Sequence, residues 1–141
     1  MPSLATGSMT PDDLGRPAPI AASRAETLVF VYGTLKRGHS NHHWLADAVD
    51  LGAAELPGAV LHDLGPFPMA IAGDGRVIGE LYAVTEACLD RLDRLEGYPR
   101  LYNRHRMALV DGRAAWVYLG RAQEVRHVRP IASGIWRGTT G

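Results

Sequence analysis

The chain contains a single cysteine, Cys88, and carries no excess of charge of either sign. One cysteine excludes an internal disulfide and a metal site built from several thiolates, which is consistent with a reducing compartment. Fifteen basic and fifteen acidic residues give a formal net charge of zero. No overall electrostatic field therefore favours binding to nucleic acid or to an anionic membrane.

Long apolar runs are also absent from the sequence. No stretch approaches the roughly 18 apolar residues that a membrane-spanning helix needs. The first residues lack the basic start and the apolar run that are typical of a secretory signal. We therefore expect a cytoplasmic protein whose partner is neither nucleic acid nor a membrane.

Length and composition predict one globular domain preceded by a disordered leader. With 141 residues, of which 46% are hydrophobic, the chain is long enough to bury a sizeable core. Residues 1–25 are rich in proline, alanine, serine and glycine and have few apolar side chains to bury. Such a segment cannot offset its own ordering entropy. We predict a disordered leader over residues 1–25 and a single domain over residues 26–141.

The most informative stretch is an apolar run that enters a loop bracketed by two glycines. Residues 28–32 contain no charged side chain, which is typical of a strand buried on both faces. Gly33 and Gly38 permit backbone angles closed to other residues and let a ligand approach the main chain. Unpaired N–H groups at the end of such a strand can bind one anion or carbonyl oxygen. The alternative is an ordinary strand followed by a glycine turn.

The rest of the chain is predicted to form mostly short strands. A short helix is indicated over residues 41–48, with Ser40 or Asn41 as its cap. Apolar runs bounded by turn signals predict strands at residues 52–56, 59–64, 67–72, 77–84, 105–110 and 113–119. The expected turns are Pro57-Gly58, Gly73-Asp74-Gly75 and Asp111-Gly112. Gly79 predicts a bulge or a close backbone approach. Many strands with one long helix make the predicted fold class α+β, with a small sheet curled or closed over that helix.

The long helix is predicted over residues 86–96, with Thr85 as its cap and Gly97 and Pro99 as stop signals. At about 100° per residue, one face of this helix is apolar. It consists of Cys88, Leu89, Leu92 and Leu95. The opposite face carries the charged residues Asp90, Arg91, Asp93 and Arg94.

Glu96 breaks this pattern because it lies only about 50° from the centre of the apolar stripe. It also sits in the last helical turn, where the exposed carbonyls disfavour a negative charge. Burial and the helix end both disfavour the ionised carboxylate, so we predict a raised pKa for Glu96. Such a group can exchange protons near neutral pH. The alternative is that the helix frays here and the carboxylate turns to water.

Other reactive side chains are less suited to catalysis. Cys88 lies on the apolar stripe and is interpreted as a small core residue. Thr34 has no base beside it in the sequence that would make it a nucleophile. His39, His42 and His43 raise the question of a metal site. No acidic or thiol ligand accompanies them at a recognised spacing, so a solvated or hydrogen-bonded cluster is the favoured interpretation. The aromatic residues interpreted as core or pocket walls are Tyr98, Tyr102, Trp116, Tyr118 and Trp136.

Three blocks of the sequence together resemble the gamma-glutamylcyclotransferase-like family, which includes plant avirulence-induced proteins and gamma-glutamylamine cyclotransferases. The blocks are VYGTLKRG at residues 31–38, VIGELY at 77–82 and LDRLEGYPRLY at 92–102. The match extends over residues 28–119. The resemblance implies a small mixed β-barrel with flanking short helices, and a pocket where the first loop faces the helix end.

The resemblance also implies roles for individual residues. The family's Tyr-Gly-Thr-Leu loop binds the glutamyl moiety largely through main chain, and Glu96 matches the family's general acid/base. The implied substrate-binding residues are Tyr32, Gly33, Thr34, Leu35, Tyr102 and Tyr118. Near the C-terminus the chain departs from many bacterial relatives, which have an acidic residue at the position of Ile135 in the Ser-Gly-Ile-Trp segment.

The leading functional hypothesis is a cofactor-independent enzyme, an acyltransferase or lyase by reaction type. It would release 5-oxoproline from a gamma-glutamyl amine or peptide, because the substrate's own α-amine can attack its γ-carbonyl. Glu96 would transfer the proton, so neither a metal nor a cofactor is required. Two alternatives remain, a non-catalytic small-molecule-binding module of the same fold and a metal-dependent hydrolase that uses the three histidines.

Overall fold

The structure is a computed structural model that describes residues 27–138. The predicted leader over residues 1–25 lies outside the described residues. The five strands are β1 (Thr27–Val31), β2 (Val49–Asp63), β3 (Pro68–Val84), β4 (Asn103–Ala108) and β5 (Ala114–Leu119). Helix α1 is Glu86–Leu95, and two short 3-10 helices span His42–Leu45 and Ala122–Val125. None of the helices in this part of the chain is long and apolar enough to cross a membrane.

Strand β1 is the central strand of one mixed sheet. The strand order is β2-β3-β1-β5-β4, with β1 antiparallel to β3 and parallel to β5. Val29 and Val31 pack into one buried cluster, whereas Phe30 packs into a second cluster on the other face. The predicted strand buried on both faces is confirmed. Because its neighbours hold it on both edges, the loop that follows starts from a rigid support.

Strands β2 and β3 correct the predicted turns, since four predicted short strands form two long ones. Pro57-Gly58 lies inside β2, and residues 73–75 lie inside β3 rather than in a hairpin turn. The chain reverses instead at residues 64–67, where the Leu64 N–H donates to the Phe67 carbonyl at 3.0 Å. Gly58 has φ +86°, and the register shifts beside it. Glycine and proline therefore produce a β-bulge that bends the paired strands without ending them.

The β4–β5 hairpin is confirmed at the predicted Asp111-Gly112 turn, where Gly112 has φ +92°. Beyond the end of β4, the Val110 N–H donates to the Glu55 carbonyl of β2 at 3.0 Å. This bond links the hairpin to the far edge strand of the sheet. No β-ladder joins β2 to β4 in residues 27–138, so the described fold is α+β with a five-stranded mixed sheet and one main helix.

Helix α1 follows its sequence signals closely. The Thr85 hydroxyl accepts a hydrogen bond from the Cys88 N–H at 3.1 Å, which confirms the cap. The predicted apolar stripe faces the core, and burial raises the pKa of the Cys88 thiol. Gly97 ends the helix with φ +67°, while the Tyr98 N–H donates to the Asp93 carbonyl at 2.9 Å. This Schellman-type end leaves Glu96 as the C-cap residue, at a position set by backbone hydrogen bonds.

Candidate active site

A cavity of about 260 Å³ lies between the loop after β1 and the end of α1. Its lining includes all seven residues that the sequence and its family resemblance single out. They are Tyr32, Gly33, Thr34, Leu35, Glu96, Tyr102 and Tyr118. The remaining lining comes from the end of β1, from Ser40 and Asn41, from residues 66–68 and from Leu95 and Leu101. The fold thus brings Tyr32 and Tyr118, which are 86 positions apart, to one site.

The loop after β1 lines this cavity and contains main-chain N–H groups that have no acceptor in the described part of the chain. A turn closes where the Lys36 N–H donates to the Gly33 carbonyl at 3.0 Å. Asn41 secures the same segment, since its backbone N–H donates to the Thr34 carbonyl at 2.8 Å and its side chain donates to the Thr34 hydroxyl at 3.0 Å. Within residues 27–138, the N–H groups of Gly33, Thr34 and Leu35 have no acceptor. Three consecutive free donors are suited to binding an anion or a carbonyl oxygen.

The two glycines of the loop serve different purposes, which corrects the prediction for one of them. Gly38 has φ +83°, a conformation that favours glycine, and a β-carbon at this position would meet open space. Gly33 does not have a positive φ. A β-carbon at Gly33 would lie 2.7 Å from the ring carbons of Pro68. Glycine is therefore required at position 33 because another chain segment packs against it.

The loop after β1 is also held by two charged side chains, Lys36 and Glu80, which the sequence analysis did not identify. Lys36 is only 7% exposed, and its ammonium group donates to the Trp136 carbonyl at 2.6 Å. Desolvation lowers the pKa of Lys36. The Glu80 carboxylate accepts a hydrogen bond from the Arg37 N–H at 2.9 Å. Both side chains belong to blocks that carry the family resemblance, and that signal could have identified them.

The C-terminal segment also contributes to the loop's support. Trp136 is buried, and its indole N–H donates to the Asp63 carboxylate at 3.2 Å. The Gly134 carbonyl accepts from the Ile78 N–H at 2.8 Å, which docks the segment on β3. Ile135 therefore occupies a docked structural segment. It is not among the cavity-lining residues.

Among the lining residues that the structure describes, only Glu96 carries a carboxylate. It is half-buried, and burial raises the pKa of its carboxyl group to about 7, in the direction that the sequence predicts. In the described part of the chain its side chain has no hydrogen-bond or ion-pair partner. A carboxyl group with such a pKa and a free position beside a cavity can both accept and donate a proton near neutral pH.

The three tyrosines of the cavity wall are held by hydrogen bonds within the protein. The Tyr32 hydroxyl donates to the Tyr118 carbonyl at 2.5 Å, and the Tyr102 hydroxyl donates to the Pro68 carbonyl at 2.8 Å. The Tyr118 hydroxyl donates to Asp93 at 2.6 Å. Burial raises the pKa of all three phenols. These side chains therefore give the wall a fixed shape and remain protonated at neutral pH.

Asp93 lies one helical turn before Glu96, on the charged face of α1, and its side chain is only 15% exposed. Its carboxylate receives two hydrogen bonds from Arg104, at 2.8 and 3.1 Å, in addition to the one from Tyr118. The Arg104 guanidinium lies 4.4 Å from the centre of the Trp116 ring. Asp93 thus joins the end of α1 to the β4–β5 hairpin.

Comparison with known proteins identifies the family to which this chain belongs. The sequence profile of the family described as "Gamma-glutamyl cyclotransferase, AIG2-like" matches residues 29–138, which is most of the chain. The chain belongs to the gamma-glutamylcyclotransferase family. This membership implies a gamma-glutamyl small molecule as the substrate. The resemblance seen in the three sequence blocks is confirmed.

Individual relatives of this family agree with the assignment. A Vibrio cholerae relative is 42% identical over 110 residues, which cover 77% of this chain and 94% of the relative. The gamma-glutamylcyclotransferase family protein YtfP of Escherichia coli is 35% identical over 108 residues, which cover 77% and 94% of the two chains. A bovine gamma-glutamylaminecyclotransferase is 40% identical over 111 residues, which cover 70% of this chain and 60% of the bovine protein.

Solved structures of gamma-glutamylcyclotransferase relatives share the fold. The crystal structure of an AIG2-like protein from Mus musculus has a TM-score of 0.67 at 28% identity, with 79% of this chain and 88% of that chain covered. The solution structure of YtfP from Escherichia coli has a TM-score of 0.62 at 36% identity, with 78% and 96% covered. The α+β gamma-glutamylcyclotransferase-like fold is therefore shown.

The structure does not bring the three histidines near the loop together. The His39 ring packs 5.2 Å from the Trp136 ring, and His43 packs beside Trp44. His42 uses its Nδ1 atom for a 3.0 Å hydrogen bond with the Leu35 carbonyl. Across residues 27–138, no three His, Cys, Asp or Glu side chains are arranged to hold a metal ion. The geometry therefore does not favour the hypothesis of a histidine metal site.

Proposed function

We propose that this protein releases 5-oxoproline from a gamma-glutamyl amine or peptide by intramolecular cyclisation, with Glu96 as the general acid/base. The proposal rests on the position of Glu96, whose pKa is about 7, on the same cavity as the free N–H groups of Gly33, Thr34 and Leu35. The name of the bovine relative, gamma-glutamylaminecyclotransferase, supports the same reaction class.

The proposed reaction begins with the substrate's α-amine. The ionised Glu96 carboxylate removes a proton from this amine while its nitrogen attacks the γ-carbonyl carbon. A bond forms between the α-nitrogen and the γ-carbon, and the tetrahedral oxyanion collapses with cleavage of the bond to the leaving nitrogen. Glu96 returns the proton to that nitrogen. The products are 5-oxoproline and a free amine, and no water is consumed.

A pKa near 7 suits Glu96 to both halves of this proton transfer. At neutral pH a substantial fraction of the carboxyl group is ionised and can act as the base. The protonated form is then acidic enough to donate to the leaving amine. A solvated glutamate with an ordinary pKa would be a weaker base for the first step.

The loop supplies the complementary part of the proposed site. Its three free N–H groups would bind the substrate's α-carboxylate or the oxyanion that develops on the γ-carbonyl oxygen. Anchoring the glutamyl chain in a folded conformer holds the amine close to its own carbonyl carbon. Ring closure from such a conformer exploits a large effective molarity, so no protein nucleophile is needed.

The decisive experiment measures the products of gamma-glutamyl compounds incubated with the protein in ¹⁸O-labelled water. Cyclisation predicts 5-oxoproline and free amine in a one-to-one ratio, with no label in the 5-oxoproline. Hydrolysis would instead yield glutamate labelled in its γ-carboxylate, and that result would overturn the proposal. Saturable binding of gamma-glutamyl compounds without any product would indicate the non-catalytic binding module.

A further inference from the structure

Asn41 holds Thr34 at two points. Its backbone N–H donates to the Thr34 carbonyl at 2.8 Å, and its side-chain amide donates to the Thr34 hydroxyl at 3.0 Å. The carbonyl and the N–H of one peptide lie in one plane and point in opposite directions. The first bond therefore also fixes the N–H of Leu35, which has no acceptor in the described part of the chain. Both Asn41 and Thr34 are half-buried and line the cavity.

The second bond decides how the Thr34 hydroxyl is used. A hydroxyl group has one donor proton and two acceptor lone pairs. The Asn41 amide is the donor at this contact, so it occupies a lone pair of the hydroxyl and leaves the hydroxyl proton unused. Across residues 27–138, the Thr34 hydroxyl has no other hydrogen-bond partner. Its proton is therefore available to an acceptor on a bound ligand.

An anion in this cavity has to be bound by neutral donors, because none of the described lining residues is cationic. The hydroxyl groups of Tyr32, Tyr102 and Tyr118 donate to other groups of the protein. Besides the free N–H groups of the loop, the Thr34 hydroxyl is thus a donor that the protein leaves free for an anion.

We propose that Asn41 is a positioning residue, which orients the Thr34 hydroxyl so that it donates to the carboxylate of the bound glutamyl group. This inference rests on the proposed function for the identity of the ligand. The hydroxyl joins the N–H groups of Gly33, Thr34 and Leu35 as a fourth donor of the loop. A hydrogen bond to a carboxylate is stronger than one to a neutral acceptor, so this arrangement favours a ligand that is negatively charged at this end.

Two ligands that differ by one carboxylate test the proposal by calorimetry. 5-Oxoproline, the proposed product, carries the carboxylate, whereas 2-pyrrolidinone is the same lactam without it. Thr34→Val removes the hydroxyl with little change of shape. We expect this variant to bind 5-oxoproline roughly tenfold more weakly, because a hydrogen bond to a charged group is lost. The difference in affinity between the two ligands should shrink, and Thr34→Ser should recover most of the lost affinity.

Turnover gives a second reading of the same variants. The carboxylate does not react, so its hydrogen bonds are the same in the bound substrate and in the transition state. Loss of such a bond raises KM and leaves kcat nearly unchanged. A general disturbance of the site would lower kcat as well.

A double-mutant cycle tests whether Asn41 acts through the hydroxyl. Asn41→Ala keeps the backbone bond to the Thr34 carbonyl and should weaken 5-oxoproline binding in the parent, but should add little to Thr34→Val. Asn41→Asp should weaken binding further, because its carboxylate accepts the hydroxyl proton and repels the ligand. The chain's second asparagine, Asn103, is exposed on β4 and does not line the cavity. Asn103→Asp adds the same charge there and should leave the affinity unchanged. Thermal unfolding checks that each variant is folded.

Two results would overturn the role of Asn41. One is an unchanged affinity for 5-oxoproline in folded Thr34→Val, because the hydroxyl would then make no bond to the ligand. The other is an additive cycle, in which Asn41→Ala has the same effect with and without the hydroxyl. If the active parent binds 5-oxoproline too weakly for calorimetry, KM for a gamma-glutamyl compound gives the same cycle.

The cyclisation is judged separately, by release of 5-oxoproline from gamma-glutamyl compounds. A parent that binds 5-oxoproline but forms none would overturn the cyclisation, and the cycle would still decide the role of Asn41. A parent that neither binds nor forms 5-oxoproline would overturn both proposals.

Discussion

The last turns of helix α1 carry two carboxylates in opposite environments. Asp93 is enclosed by hydrogen bonds from Arg104 and Tyr118. Glu96, three residues later, faces the cavity, and within residues 27–138 its side chain has no partner. Burial raises the pKa of the Glu96 carboxyl group to about 7. The difference is between a carboxylate that is held by two partners and a carboxyl group that lines the cavity without a partner in the described residues.

The same contrast assigns different tasks to the two sides of the helix end. On the side of the β4–β5 hairpin, Asp93 contributes to stability and to the position of the helix. On the cavity side, Glu96 costs stability when ionised, because it is desolvated without compensation. Ionisable groups whose pKa is strongly shifted by desolvation are found mostly at functional sites, although they do not stabilise the fold. Four predictions test this division.

The largest expected effect is on turnover in Glu96→Gln. The glutamine keeps the shape of the side chain but cannot accept the amine proton, so the rate of 5-oxoproline release should fall by roughly 10² to 10⁴. Because a desolvated carboxylate is removed, the variant should be at least as stable as the parent at neutral pH. Product release and thermal unfolding of both proteins measure the two quantities. Turnover by Glu96→Gln close to that of the parent would contradict the role of Glu96 as general acid/base.

Asp93→Asn should show the reverse pattern. The change leaves the Arg104 charge without its ion pair, and the two side chains are only 18% and 15% exposed. We expect a loss of roughly 1 to 3 kcal/mol in the free energy of unfolding. The turnover of the folded fraction should stay within a few-fold of the parent.

The exposed ion pair between Asp47 and Arg91 supplies the matched control. The Asp47 and Arg91 side chains are 62% and 36% exposed. Asp47→Asn should therefore lower the free energy of unfolding by less than about 0.5 kcal/mol. Urea denaturation measures both variants. If Asp93→Asn abolished turnover without a loss of stability, Asp93 would belong to the chemistry and the comparison would be wrong.

The two loop glycines offer a second matched pair. Gly33→Val should clash with Pro68, which itself lines the cavity, and should weaken the binding of a gamma-glutamyl substrate by roughly tenfold or more. The side chain added by Gly38→Val would meet open space. This variant should lose about 1 to 2 kcal/mol in the free energy of unfolding, because valine is strained at a positive φ. Calorimetry and denaturation separate the two effects. Unchanged affinity in folded Gly33→Val would remove the loop from the site.

The last prediction concerns the pH dependence of stability. The pKa of Glu96 is about 7 in the folded protein, against 4.5 for an ordinary glutamate, so the folded state holds this proton more tightly. The stability that protonation contributes is fully present below about pH 4.5 and is lost as the pH rises through about 7. Relative to Glu96→Gln, the parent should therefore lose roughly 1 to 2 kcal/mol between pH 4.5 and pH 8. Parallel stability profiles for the two proteins would mean that the carboxylate is solvated.

Local patterns in the sequence predicted the elements whose causes are local. An unbroken apolar run predicts β1, because a strand covered on both faces tolerates no charge. The helical period and the Thr85 cap predict α1, and the same period places Glu96 toward the core. The side chain at a helical position is directed by the helix itself. The sequence alone was therefore sufficient to identify Glu96 as the candidate acid/base.

Tertiary structure alone decided which turn signals are turns and which charges are solvated. Pro57-Gly58 and residues 73–75 have the composition of turns, but pairing along two long strands makes them a bulge. Asp93 carries no local sign of burial, because its partners Arg104 and Tyr118 lie 11 and 25 residues away. Lys36 is held by Trp136, 100 residues further along the chain. A local sequence pattern reflects backbone propensity and the burial of one face of a helix or strand. A hydrogen-bond partner, in contrast, can come from any segment that the folded chain brings within reach.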